Sequence, residues 1–336
     1  MKSKLREKIL ELLSLHQGSY IPQSYIHRAL GVSKSRVSEI LSELEKEGLI
    51  NRVVIGRNKL IYILPGVVEK NIDFNEKILR LGVVYSSEYL FLQSLVKKLE
   101  RKGFRIEITP FRDGLKLTRA LGEGRVDIAL SPLPSQLYLY PAYRNYTIIL
   151  AGLKGGFRVL SLGGEGPVYS SMITTMDYMR HLLITEGLIP ASKTVYYDDP
   201  NTLLKKNRRG YIVTWHPVYL ELESKGFKPI ITPSDIDIHF CCTLAISKKL
   251  DERTRHTIAS IYLSSLEEYK RNPEKGLEYY SLVTGIHSSI LKSAIEEYSV
   301  AEDLDLKTVD EITRNFAPLI PYKEVYREGV VEREKI

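Results

Sequence analysis

Cysteine is scarce: Cys241 and Cys242 are the only two in 336 residues. Adjacent cysteines provide neither a secreted disulfide framework nor the two-residue spacer of a CxxC zinc site. In the run HFCCTLAIS they read as two small apolar side chains of a buried strand, and joining His239 to them as ligands is the lesser reading, so no metal site is expected. Runs of about 18 apolar residues are missing too, which excludes a membrane-spanning helix. The opening MKSKLREKIL carries charge where a signal peptide needs its apolar stretch, so a cytoplasmic protein with no membrane partner is expected. No nucleophile, base and orienter set stands out, so neither an enzyme nor a cofactor is expected.

What is present is enough to bury a core: 43% of the residues are hydrophobic, and the length suits two or three compact units. The formal net charge is +7, and residues 1–70 hold 12 Lys/Arg against 7 Asp/Glu, a surplus of +5. A surplus concentrated in so short a stretch points to a phosphate-binding module.

Helical periodicity is clear at the start. Leu5, Ile9, Leu12 and Leu13 share one helical face; Pro22 can open a second helix that stops at Gly31; Ser33 can cap a third, whose stripe is Val37, Ile40, Leu41 and Leu44. Only Gly31-Val32-Ser33 separates the second helix from the third, and NRVVIGRNKLIYIL reads as a hairpin with a basic tip. The run GVSKSRVSEILSELEKEGLINRVVIGRNKLIYIL resembles the winged-helix regions of MarR-like and related archaeal regulators over about 60 residues. The resemblance implies a winged helix at residues 1–64 bound to double-stranded DNA as a homodimer. Ser33, Lys34, Ser35, Arg36, Ser38 and Glu39 at the start of the recognition helix would contact DNA, with Arg57, Asn58 and Lys59 on the wing.

After a linker at 65–77, strand and helix patterns alternate, which predicts right-handed crossovers and a parallel sheet. GLKLTRALGEGRVDIALSPL, FRVLSLGGEGPVYSSMITTMDYMRHLLITEG and NRRGYIVTWHPVYLELESKGFKPI resemble type II periplasmic-binding-protein domains, the fold also used by LysR-type effector domains. The resemblance covers residues 78–300, with a second lobe at about 140–237, and implies an α/β, two-lobed ligand-binding domain. HFCCTLAISKKL is then the strand returning to the first lobe, and 301–336 a C-terminal extension. SQLYLYPAYRNY reads as a crossing strand and hinge.

Ligands of open α/β sheets sit beyond the carboxyl ends of strands. Those ends offer Tyr85, Ser86, Ser87, Arg112, Asp113 and Ser131 in the first lobe, and Trp215 with His216 in the second. The loop Gly163–Pro167 precedes an expected helix start at Val168–Ser171. Backbone N–H groups there, with the Tyr169, Ser170 and Ser171 hydroxyls, suit an anion, while Glu165 between Gly164 and Gly166 suits a cation, so the small-molecule effector is expected to be anionic or zwitterionic.

Together these readings give a ligand-responsive transcriptional regulator. The strongest rival is an enzyme on the same fold, of dehydratase or pyrimidine-precursor synthase type; a third reading, an exported solute-binding protein, is set aside because a signal peptide is missing and a winged helix is expected. The tail TRNF at Thr313–Phe316 is similar to the TRF motif of prephenate dehydratases but does not lie at a strand end.

Overall fold

The computed structural model describes residues 2–14, 16, 20–55, 58–63, 77–161, 163–199, 202, 209–236, 241–301, 304–316, 320 and 323–331. The linker 65–76, the wing residue Arg57 and His239 lie outside these. Two compact units result, residues 1–78 with 103–109, and 79–102 with 110–336.

The first unit opens with α1 (Lys2–Ser14), β1 (Ile21–Pro22), α2 (Gln23–Ala29) and α3 (Lys34–Lys46), followed by the hairpin β2 (Ile50–Ile55) and β3 (Asn58–Ile63). Its three strands run in the order β1-β3-β2, all antiparallel. Ile9, Leu13, Ile26, Val37, Ile40, Leu41, Leu44 and Ile61 form its core, which uses the apolar stripes of all three helices. Ser33 caps α3 by accepting a hydrogen bond from the Arg36 amide.

The chain continues with β4 (Lys77–Val84), α4 (Leu92–Glu100), β5 (Phe104–Phe111), α5 (Gly114–Gly122), β6 (Ile128–Pro132), α6 (Leu133–Tyr143), β7 (Tyr146–Ala151) and β8 (Leu153–Gly155), all in the second unit apart from the first two residues of β4 and residues 104–109 of β5. Next come β9 (Phe157–Ser161), β10 (Val168–Ser170), α7 (Thr175–Thr185), β11 (Thr194–Tyr196), β12 (Tyr211–Trp215), α8 (Val218–Ser224) and β13 (Lys228–Ile231). It closes with β14 (Cys242–Ser247), α9 (Glu252–Arg271), α10 (Leu277–Thr284), α11 (Ser288–Glu297), β15 (Tyr298–Val300), α12 (Leu306–Asn315) and α13 (Lys323–Tyr326).

Two five-stranded sheets follow from this order, β5-β4-β6-β14-β7 and β11-β10-β12-β9-β13. Each is mixed rather than purely parallel. β4 and β6 are parallel, but β14 returns antiparallel to both β6 and β7; β10 is parallel to β11 and β12, with β9 antiparallel to β12. The returning strand expected from HFCCTLAISKKL is β14, and it reads as an unbroken apolar run because all six residues are buried.

One element differs in kind. Residues of SQLYLYPAYRNY form helix α6, not a strand, with Pro134 in the first turn, where a missing N–H costs nothing. Leu133, Leu137, Leu139 and Tyr140 are buried together with the polar Ser135 and Gln136, so polar and apolar residues are not segregated to opposite faces and the helix carries no 3.6-residue signal. The C-terminal residues pack on this body. Ile148 donates its amide to the Gly329 carbonyl at 2.7 Å and accepts from Val331 at 2.9 Å, while β15 pairs with β8. Thr313 and Phe316 are buried there, with the Thr313 hydroxyl 2.8 Å from that of Tyr326 and Phe316 edge-on against Tyr178 of α7.

Candidate functional site

The carboxyl ends of β4, β5, β6, β10 and β12 converge with the start of β14 on one cleft. Hydrogen bonds cross it from both sides. Trp215 Nε1 donates to the Tyr85 carbonyl at 2.9 Å, Ser87 N to the His216 carbonyl at 3.1 Å, and Ser135 Oγ to the Ile173 carbonyl at 2.6 Å. The Thr175 hydroxyl donates to the Cys241 carbonyl, and Lys116 Nζ to Asp198 at 2.9 Å. Arg112 adds an ion pair with Asp199 at 3.6 Å while its guanidinium lies 5.3 Å from the Tyr85 ring centre.

The cleft has two chambers that share Arg112 and Trp215. The inner one, about 30 Å³, is lined by Ser86, Glu88, Asp113, Ser171, Thr174, Thr175, Cys241 and Cys242 among others. That volume accepts one water or ion. The outer basin, about 640 Å³, is bounded by Tyr85, Arg112, Trp215, Pro217, Glu221, His287 and Ile290. It has the size of a small-molecule site. Trp215 stacks on Tyr197 at 6.4 Å between ring centres, and its indole N–H is held by Tyr85, which fixes the ring between the two chambers.

Electrostatically the inner chamber is unusual. Glu88 is fully buried, neither carboxylate oxygen has a hydrogen bond of normal geometry among the described residues, and burial pushes its acid up to about 7, against partial relief from the Cys242 and Cys241 thiols. The hydroxyls of Ser87 and Ser170 are also buried without partners among the described residues. Native interiors rarely leave such groups unmatched, and Glu88, which lines the chamber, is the one of the three placed to meet a bound water, ion or ligand atom there.

The backbone near α7 is strained. Ile173, a β-branched residue, has φ of 53°, a conformation costing about 1–3 kcal/mol. It is held there from three sides: Asp177 accepts from the Ile173 amide at 2.9 Å, Ser135 donates to its carbonyl, and Arg180 Nε locks Asp177 at 2.8 Å. The strain presents Ser171 and Thr174, whose hydroxyls lie 2.6 Å apart, to the inner chamber.

Among the expected site residues, Ser86, Arg112, Asp113, Ser171 and Trp215 line the inner chamber, and Tyr85 the outer basin. Ser87 lies beside them. Ser131 is buried in a hydrogen-bond set with Thr118 and Gln136, a packing role. The expected helix start at Val168–Ser171 is corrected: Val168–Ser170 is strand β10, and the helix begins at Thr175. Gly164, Glu165 and Gly166 therefore precede a strand and line neither chamber, while Val168, Tyr169 and Ser170 are buried in the second sheet. His216 is fully buried, not a surface residue. Its Nε2 lies 3.1 Å from Ser293 Oγ, which itself donates to the Ile290 carbonyl at 2.7 Å, so the ring nitrogen must be the donor. Burial lowers His216 to about 4, so the ring is neutral. Sequence reasoning missed Glu88, Thr174 and Thr175. Glu88 sits in SSEYLF, where no local pattern marks a carboxylate as buried.

In the first unit Ser33, Lys34, Ser35 and Arg36 are exposed and Lys59 is on the hairpin. Arg6 and Arg52 pair with Glu47 and Glu45, so part of the local charge surplus is neutralised within the unit.

The model for a domain of unknown function matches residues 3–64. No curated protein sequence matches the chain. In structure, the chain is similar to the ligand-binding component of an ABC-type import system from Staphylococcus aureus with zinc bound, at TM-score 0.63 and 16% identity, covering 77% of this chain and 98% of that one. It is similar to the alkanesulfonate-binding protein SsuA from Xanthomonas axonopodis pv. citri bound to MOPS, at TM-score 0.63 and 13% identity, covering 76% and 98%. A third likeness is to the periplasmic aliphatic sulphonate binding protein SsuA from Escherichia coli, at 0.60 and 13%, covering 75% and 97%. The chain thus has the mixed α/β fold of periplasmic binding proteins.

These likenesses correct the expected transcriptional regulator. The neighbours that span three quarters of the chain are small-molecule-binding proteins, and the family model at the N-terminus carries no DNA-binding description, so the DNA partner, the homodimer and the DNA contacts at Ser33, Lys34, Ser35, Arg36, Ser38, Glu39, Arg57, Asn58 and Lys59 are unsupported. The physical lesson is that exposed polar residues at a helix start describe any solvated, capped helix. Among the described residues no helix is long and apolar enough to cross a membrane.

Proposed function

We propose that this protein is a solute-binding protein that holds a small organic anion or zwitterion in the outer basin between its two lobes, without catalysing a reaction on it. The observation that carries the reading is a basin of about 640 Å³ bordered by Trp215 and by an Arg112 whose ion pair with Asp199, at 3.6 Å, is long. A ligand anion would exchange with Asp199 for the guanidinium, and a flat or apolar part would rest on the indole. The alkanesulfonate-binding neighbour bound to MOPS and the aliphatic sulphonate binding neighbour take compounds of that chemical class, which supports the reading without fixing the ligand. The two buried, unbridged thiols suit a reducing compartment and so a cytoplasmic setting. For the N-terminal unit the reading is confined to its fold: three helices and a three-stranded sheet in the order β1-β3-β2 are the element order of a winged helix.

Native mass spectrometry of protein purified from its source, followed by calorimetric titration with a panel of small sulfonates, carboxylates and amino acids, tests this. A retained or titrated compound whose affinity falls about tenfold or more in Arg112→Ala is expected. Binding unaffected by Arg112→Ala and Trp215→Ala alike would move the site elsewhere.

A further inference from the structure

The inner chamber carries an arrangement that small-molecule binding in the outer basin does not use. Glu88, Cys241 and Cys242 each offer one ligand atom, and all three atoms lie within 4.8 Å of one another. All three residues are buried. Neighbouring residues of a regular strand point to opposite faces, so adjacent cysteines should not share a site. Here β14 begins at Cys242 and Cys241 lies in a bend before it, which takes Cys241 out of the pleat and lets both sulfurs turn toward Glu88. A second observation concerns Glu88 alone: it lines the chamber fully buried, and neither of its oxygens has a hydrogen bond of normal geometry among the described residues.

We propose that Glu88, Cys241 and Cys242 form a binding site for a thiophilic d10 cation, Zn2+ being the charge-matched member of the class. Sulfur accepts hydrogen bonds poorly, so an ammonium group would gain little from two thiols, whereas a soft or borderline cation gains two strong bonds. Calcium and magnesium are excluded by the donor set, because they require several oxygen ligands. Two thiolates and a carboxylate carry three negative charges, which a dication reduces to one in a site with no other compensating cation among its lining residues except Arg112 at the rim. Binding releases the two thiol protons to solvent as two S–Zn bonds form, with no change of oxidation state. The three protein ligands leave a fourth position, which faces the chamber wall of Ser86, Ser171 and Thr174 and is filled by water or by a donor atom of a bound molecule. Thr175, whose hydroxyl bonds the Cys241 carbonyl, supports the bend from outside the ligand set.

The test uses the full chain, purified with reductant and chelator, its two thiols counted after denaturation. Titration with Zn2+ is expected to load one ion per chain with release of at least about two protons, those of the thiols, and any that Glu88 carries, and Co2+ to give intense near-ultraviolet thiolate-to-cobalt absorption. Cys241→Ser and Cys242→Ser should each lose most of that absorption, while Glu88→Gln should keep it and bind about tenfold or more weakly. Thermal melts of the metal-free variants check folding. Should a cysteine variant fail to fold, X-ray absorption of the zinc-loaded natural chain decides instead, with two sulfur neighbours and the remainder oxygen expected. No zinc uptake by the fully reduced chain, a zinc shell without sulfur, or a chain two mass units light from a bond between the neighbouring cysteines would each overturn the assignment.

Discussion

The two units both present polar side chains, but under opposite conditions. On α3 the serines and basic residues from Ser33 to Arg36 face solvent, with Ser33 bonded to the Arg36 amide as an ordinary cap. In the cleft of the larger unit, Glu88 is buried with both carboxylate oxygens lacking a hydrogen bond of normal geometry among the described residues, and the turn that carries Ser171 and Thr174 holds a β-branched residue at positive φ. Solvated groups cost almost nothing to keep, whereas buried unmatched ones cost about 1–3 kcal/mol each and persist where function needs them. Unmatched buried atoms occur in both units, Arg6 and Gln23 among them; what sets the cleft apart is a buried carboxylate, that of Glu88, together with a strained turn at Ile173.

Substitutions can break that contrast, and the largest effect is expected at Asp177. Its buried carboxylate holds both Arg180 and the strained Ile173 amide, so Asp177→Ala should cost about 3–5 kcal/mol in urea unfolding. A loss below about 1 kcal/mol would show that the strained turn is not held as described.

The next effect is a pH dependence. His216 is lowered to about 4 in the folded chain by burial, while an unfolded histidine titrates near 6.5, so its contribution is complete above about pH 6.5 and is lost as pH falls toward 4. The loss should approach about 3 kcal/mol, and His216→Gln, which retains a donor for Ser293, should flatten that part of the stability curve. An unchanged slope in the variant would assign the acid sensitivity to another group.

Smaller effects belong to the exposed rim and to the first unit. Lys116→Ala removes a surface pair with Asp198 and should change stability by no more than about 1 kcal/mol, less in high salt. Ser33→Ala should cost about 1 kcal/mol through the lost cap, and Ser35→Ala under about 0.5 kcal/mol. Equal costs at these two serines in thermal melts would mean that Ser35 has a burden the fold does not show.

Much of this was legible in the sequence, for identifiable reasons. Amphipathic stripes such as Val37, Ile40, Leu41 and Leu44, and continuous apolar runs such as β14, carry their own periods. Helix α6 was misread as a strand because a helix buried all round has no polar face to reveal its turn. Of the cleft, the strand-end rule found Ser86, Arg112, Asp113, Ser171 and Trp215, since topology fixes where strand ends meet. It overreached at Gly164–Gly166, where composition suggested a pocket that the strand β10 moves out of reach. Glu88 and its approach to Cys241 and Cys242 were beyond it, because that contact joins residues about 150 positions apart and the turning of both sulfurs to one side depends on a bend before β14.

The central claim, that the cleft between the two sheets is where this protein meets its ligand, is tested most directly by hydrogen exchange of the full chain with and without the compound found by mass spectrometry or titration. Slower exchange is predicted at Tyr85–Glu88, Arg112–Gly114, Ser171–Met176 and Trp215–His216, with Ser33–Glu39 unchanged. Protection confined to Ser33–Glu39, with the cleft residues exchanging as before, would contradict it.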